Sequence, residues 1–396
     1  MNDDMGVGQR IRYWRKRRGM SQRTLAELAG RSTSWLEKVE AGERVCDRAP
    51  VLIAIANILK IEVGDLLGQP FKLPPNGGGP HDPPNGIPAL RRALLAVDPP
   101  DLEPRPAAEL RAELEDAKRR RHAGRYESLA VGVPQLLTDA RAAAVRDLPD
   151  DWWCLAGTYQ VAAAVLRTVG EVELSWIAAD RAIAAAQRSG DDYMVSVSES
   201  LIMFALLRQG MVDEAGAVCS NAADRLAPTA ASGLAAWTLW GSKKLFEAVI
   251  AARRSDAGHA YRVLRDAGVA AERVGPGPKP YWAAFGPANV SAMEAVVALE
   301  LGDPSEAVRV AGRLDIDELA SPERRADVCI HVAHAYSLRH DDPATVAMLL
   351  DAERHGPEEV RYSVKAHDLV RVCLKRERKS ATPGLRDLAG RLGVRV

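Results

Sequence analysis

Apolar residues recur at helical spacing along nearly the whole chain, and no stretch alternates residue by residue as a half-buried strand would. The pattern predicts a first helix over about 7–18, with Ile11 and Trp14 turned inward. Two short helices follow. Ser21 caps one whose Leu25, Ala26, Leu28 and Ala29 share a face, and Gly30 ends it. Ser32 caps the next, over about 33–40, with Leu36 and Val39 inward and Gly42 beyond its end. Pro50 suits the first position of a fourth helix running to Leu59, and its near-continuous apolar run VLIAIANIL marks it as buried. A short fifth helix at about 63–67 completes a compact domain over 1–68.

Between 70 and 88 the pattern stops. Seven prolines and four glycines fall there, a composition that cannot hold a long helix, so 69–104 reads as a linker carrying one short helix at about 89–97. From 105 to 396 the helical period returns, and it repeats. Turns at Gly124, Gly170, Gly210, Ser255, Gly302 and Asp341 recur every 39 to 47 residues. RQGMVDEAGAV, ELGDPSEAVRV and LRHDDPATVAM share one hinge followed by a packing Ala or Val. A fixed period of this kind predicts stacked helix pairs: 105–122 with 125–147, 152–169 with 172–189, 191–209 with 212–226, 233–253 with 256–273, 281–301 with 304–314, and 322–339 with 342–355. Helices at 360–376 and 384–393 would cap the end.

Ser21–Gln22, the LAELAG at Leu25–Gly30, Ser32, and the E-x-G at Glu40–Gly42 together resemble the repressor/Cro-type, or XRE, helix-turn-helix family over about 7–67. The resemblance implies a five-helix lambda-repressor-like domain whose second motif helix enters the major groove of double-stranded DNA. On that footing Thr33, Ser34 and Lys38 are candidates for base edges, and Gln22 and Ser32 for backbone or base. Trp35 is placed to rest on sugar or a thymine methyl. The later repeats resemble tetratricopeptide-like regulatory domains, with a period longer than that repeat's usual ~34 residues. The expected fold is therefore all-α: the helix-turn-helix domain, a Pro/Gly-rich linker, and a right-handed α-solenoid of such pairs over 105–396. What the two resemblances imply is a bacterial transcriptional regulator, a homodimer on a near-palindromic operator, whose repeat domain dimerises and binds a peptide or small-molecule signal. An alternative is a DNA-localised scaffold whose groove binds a partner protein.

Charge sharpens this picture only locally. The chain carries 53 basic and 53 acidic residues, so its net charge says nothing about partners. Arg10, Arg12, Arg15, Lys16, Arg17 and Arg18, however, run with no acid among them just before the motif. Such a run would lie along phosphates, giving affinity without sequence information, or would form a solvated helix face with Arg12 or Arg15 paired to Glu40. Arg15, Arg18 and, in the following loop, Arg44 join the DNA-contact candidates. The five cysteines are scattered without a C-x-x-C, and no stretch approaches the ~18 apolar residues of a membrane span. A cytoplasmic protein with no membrane contact and no cofactor is expected.

The first helices of the pairs would line a concave wall, and aromatic residues gather there. Trp152 and Tyr159 on the second pair, Trp237 and Trp240 on the fourth, and Trp282, Phe285 and Asn289 on the fifth are candidate ligand contacts. Asn289 is the most informative, because an amide can both donate to and accept from a peptide backbone, although a structural hydrogen bond would explain it equally. Phe285–Gly286–Pro287 should break or kink that helix. Asp327, His331 and His334 share a face, but one helix seldom completes a metal site, and polar wall residues are the better reading. Neither a phosphate-binding glycine loop nor a nucleophile elbow occurs, so no enzyme activity is expected.

Overall fold

The computed structural model describes residues 7–17, 19–43, 46, 49–59, 84–377 and 381–394. The described residues are helical throughout, with no strand, and the chain divides into two compact units, Met1–Asn76 and Gly77–Val396.

The first unit, the head, contains α1 (Val7–Arg17), α2 (Gln22–Leu28), α3 (Thr33–Glu40) and α4 (Ala49–Leu59). Ile11, Leu25, Ala26, Leu36, Val39, Ile55 and Leu59 form its core. Each buried aliphatic of this size adds about 1.5–3 kcal/mol. Gly8 lets α1 cross α3 closely, since a Cβ there would lie 1.8 Å from the Val39 carbonyl oxygen. The fifth helix expected at 63–67 lies outside the described residues.

The second unit, the body, opens with α5 (Ile87–Leu95), the helix expected inside the linker. It buries Ile87, Leu90 and Leu94 in the main body core. Six helix pairs follow: α6 (Ala107–His122) with α7 (Tyr126–Ala143), α8 (Pro149–Thr168) with α9 (Val172–Ser189), α10 (Asp192–Arg208) with α11 (Val212–Leu226), α12 (Leu234–Arg253) with α13 (Ala257–Val274), α14 (Pro287–Glu300) with α15 (Pro304–Ala311), and α16 (Pro322–Leu338) with α17 (Asp342–His355). The chain then runs through α18 (Pro357–Tyr362), α19 (Val364–Arg376) and α20 (Leu385–Arg391).

The repeat is set by one backbone device. Gly124, Gly170, Gly210, Ser255, Gly302 and His340 all have positive φ just past the first helix of a pair. In each case the next residue's N–H reaches back to a carbonyl in that helix, from Arg125 to Arg120 through Asp341 to Tyr336, at 2.9–3.0 Å. This is the Schellman closure of a helix C-terminus. The left-handed residue of the last hinge is thus His340, one before the Asp341 read from the sequence. At the last three hinges the following aspartate also caps the second helix: Asp256, Asp303 and Asp341 accept N–H groups of His259, Glu306 and Ala344 at 2.9, 2.9 and 3.1 Å.

Two features depart from the sequence reading. The fifth pair starts at Pro287, not 281, because Gly286 (φ 141°) turns the chain before the proline can open a helix. In addition, the two ends of the body meet. Tyr126 donates to Glu359 at 2.6 Å and the Glu127 N–H to Glu358 at 2.8 Å, while Arg361 and Tyr362 donate to the Glu127 carboxylate at 2.6 and 3.2 Å. Arg121 reaches Glu323 at 3.2 Å. The helix stack therefore closes on itself through a polar seam.

Candidate DNA-reading face and candidate ligand cavity

In the head, Ser32 caps α3, its Oγ accepting the Trp35 N–H at 3.2 Å, and Ser21 caps α2 by accepting the Thr24 N–H at 3.0 Å. Leu36, Val39 and Glu40 of α3 turn inward. Ser34 and Lys38 are exposed and Thr33 is half-exposed. The Lys38 side chain has no hydrogen bond or ion pair among the described residues. Trp35 is half-buried on the head core, with the Arg31 guanidinium 5.6 Å over its ring. The outward side of α3 thus presents short polar groups together with the Glu37 carboxylate and the Lys38 ammonium.

Arg15 corrects the sequence expectation of a phosphate contact. Its guanidinium is buried and donates to both oxygens of Glu40, Nε at 2.6 Å and Nη2 at 2.8 Å, and from Nη1 to the Met20 carbonyl at 2.8 Å. The Gln22 amide also donates to Glu40, at 2.9 Å, so this side chain too is drawn toward α3. Glu40 thereby ties α1, α2 and the turn between them to α3. Arg10 is buried as well, and among the side chains the structure describes Arg12 and Lys16 are exposed cations of the basic run. Arg18 and Arg44 lie outside the described residues.

In the body, a cavity of about 600 Å³ is lined by α6, the start of α8, the α9–α10 turn and the loop before α14. Trp153 forms one wall, with the Arg111 guanidinium and Lys118 ammonium 4.2 and 4.6 Å from its ring centre. Tyr281 and Trp282 form another. Both have φ of 56°, a conformation costing bulky residues about 1–3 kcal/mol each. Their side chains hold them there: Tyr281 donates to Asp191 at 2.9 Å, and the Trp282 indole donates to Glu115 at 2.8 Å. Trp153 donates to the same Asp191 oxygen at 3.2 Å. Lys279 anchors the loop by donating to the carbonyls of Gly275, Pro276 and Gly277 at 2.7–3.0 Å. Lys118 is buried with Glu115 at 3.1 Å, and burial lowers its pKa.

Of the seven ligand candidates read from the sequence, Trp282 alone lines this cavity. Tyr159 is buried in the core, where an aromatic ring contributes packing. Phe285 is buried too, its ring seated on Gly241, where a Cβ would fall 2.0 Å from Cζ. The Asn289 amide is engaged structurally: it donates to the Ala284 carbonyl at 2.7 Å and accepts from Arg324 at 2.7 Å. Trp152 donates to Asp147 at 2.7 Å under Arg188, and Trp237 and Trp240 pack edge to face, 5.9 Å apart. Arg111, Glu115 and Lys118 were missed as site residues, although their spacing of four and three on α6 places them on one helical face. Among the described residues, no group of His, Cys, Asp and Glu is arranged to hold a metal ion.

The fold defines a helix-turn-helix head and a separate body of stacked helix pairs. Residues 7–67 match the family described as a helix-turn-helix domain. Among solved structures, the chain is similar to Bacillus thuringiensis PlcR in complex with the peptide PapR7 and DNA, at 13% identity and a TM-score of 0.35, over 87% of this chain and 98% of that one. No curated protein matches the chain. No helix among the described residues is long and apolar enough to cross a membrane.

Proposed function

We propose that the chain is a sequence-specific DNA-binding transcriptional regulator whose helical body senses a peptide or small-molecule ligand. The observation that carries this reading is the outward face of α3, where Thr33, Ser34 and Lys38 stand clear of the head core within a helix-turn-helix domain. Arg12 and Lys16 on α1 supply the phosphate contacts. One such head covers few base pairs, so the regulator works as a homodimer on a near-palindrome with half-sites about 34 Å apart. The aromatic cavity beside Trp153 and Trp282 supports ligand sensing, being a concave site with a few convergent polar groups. The test is gel-shift titration on the preferred duplex. Thr33→Ala and Lys38→Ala should each cost about 1–3 kcal/mol on that sequence, and Arg12→Ala should weaken all sequences and flatten the salt dependence. Unchanged sequence preference in both α3 variants would refute the placement of α3 in the groove.

A further inference from the structure

Among the side chains that α3 turns outward, Glu37 is the one acid. It is exposed, four residues after Thr33 and three after Ser34, which puts the three on one strip of the helix with Lys38 beside them. The Glu37 carboxylate has no hydrogen bond or ion pair among the described residues. The head's other described acids on these helices differ: exposed Glu27 on α2 holds Arg23 at 2.9 Å, and Glu40 is buried against Arg15 at 2.6 Å.

Local stability gives no reason for an acid at 37. The positions three and four residues away are Thr33, Ser34, Glu40 and Ala41, so no cation is spaced to pair with it along the helix, and Glu40 is a like charge. The residue falls in the last turn of α3, where the free carbonyl ends disfavour an anion. Nor does it serve affinity, since a carboxylate entering a groove approaches phosphates. What an acid supplies there is discrimination. In the major groove cytosine presents its N4 amino group as a donor with no acceptor beside it. Adenine sets the N7 acceptor next to its N6 amino group, guanine shows two acceptors, and thymine an acceptor and a methyl group. A carboxylate only accepts, so it pairs with cytosine and meets an opposing lone pair at each of the other three bases.

We propose that Glu37 reads a cytosine in each half-site, accepting a hydrogen bond from its N4 amino group, while Thr33, Ser34 and Lys38 contact the neighbouring bases. The proposal rests on the reading of α3 as the groove helix, and adds a base identity to it.

The test is selection from a random duplex pool with the full-length chain and its Glu37→Gln and Glu37→Ala variants, followed by titration of the selected duplex and its single-base changes. For the unaltered chain one position per half-site should be cytosine, and any other base there should weaken binding about tenfold. Glu37→Gln keeps side-chain size and helix propensity, and should admit adenine at that position, because an amide pairs with adenine N6 and N7. Glu37→Ala should lose preference at that position alone and bind unrelated duplexes more tightly, since a charge facing the phosphates is gone. Glu27→Gln, which removes an exposed acid from α2, should leave the cytosine requirement intact. A motif without cytosine, an unchanged cytosine requirement in both Glu37 variants, the same effect from Glu27→Gln, or a loss spread over the whole motif would each overturn the assignment. A motif that depends on Thr33 and Lys38 but is indifferent to Glu37 keeps α3 in the groove and refutes this assignment alone, whereas no motif at all refutes both.

Discussion

Removing either partner of the Arg15–Glu40 pair should unfold the head, and removing both should largely restore it. The two residues are only 7% and 3% exposed and are joined by two bonds of 2.6 and 2.8 Å. Arg15→Met leaves the Glu40 carboxylate buried with the Gln22 amide as its remaining partner. Glu40→Leu leaves a buried guanidinium holding one carbonyl, that of Met20. Each single change costs about 3–5 kcal/mol, the penalty for an uncompensated buried charge. In the double variant both charges are gone and apolar groups of similar volume fill the site. What remains is the loss of partner for the Met20 carbonyl and the Gln22 amide, about 1–3 kcal/mol each when desolvated. The coupling energy should therefore be about 3 kcal/mol or more. Hydrogen exchange of the α3 amides in the full chain, followed by mass spectrometry, reads the opening free energy of the head directly. The double variant should protect α3 better than either single one. A coupling below about 1 kcal/mol, the range of a solvent-exposed pair, would refute the structural role of Arg15 and return it to the phosphate-contact candidates.

Gly241→Ala should drive Phe285 off its seat and cost about 1–3 kcal/mol, read as faster exchange across 280–286. At the hinges, Gly170→Ala should destabilise the body by about 1–2 kcal/mol, whereas His340→Gly should be neutral or stabilising, as chemical denaturation would show. The seam should tighten as pH falls from about 8 to 6.5. Burial, with Glu323 adding, pushes the Glu359 carboxyl up to about 7, so its stabilisation is complete below its usual 4.5 and is lost as pH rises through about 7. Burial holds His122 and His334 down to about 4, so their contribution stands above 6.5 and is lost toward 4, outside that window. Glu359→Gln should abolish the rise in Tm between pH 8 and 6.5, and a persisting rise would assign it elsewhere.

The sequence carried the fold far because its signals are local. Ser21 and Ser32 cap their helices, Gly170 and Gly210 close theirs, and periodic Ala and Leu give the pairs, all within a few residues. The break before Pro287 was likewise visible in Phe285–Gly286–Pro287. What depends on distant partners was not legible. The sequence offered Glu40 as a partner for Arg12 or Arg15 without deciding between that pair and a phosphate contact, and nothing near Tyr126 announces Glu359 across the body. Packing likewise separates the aromatic candidates. Tyr159 and Trp282 look alike in sequence, and only packing puts one in the core and the other on a cavity.

On the proposed reading, α3 of the head reads DNA sequence. Selection of random duplexes by the full chain, followed by sequencing, tests this reading. One near-palindromic motif should be enriched, its half-sites about one helical turn apart, and the enrichment should be lost in the Thr33→Ala, Lys38→Ala double variant. Bound duplexes with no shared motif, or the same motif from the double variant, would contradict it.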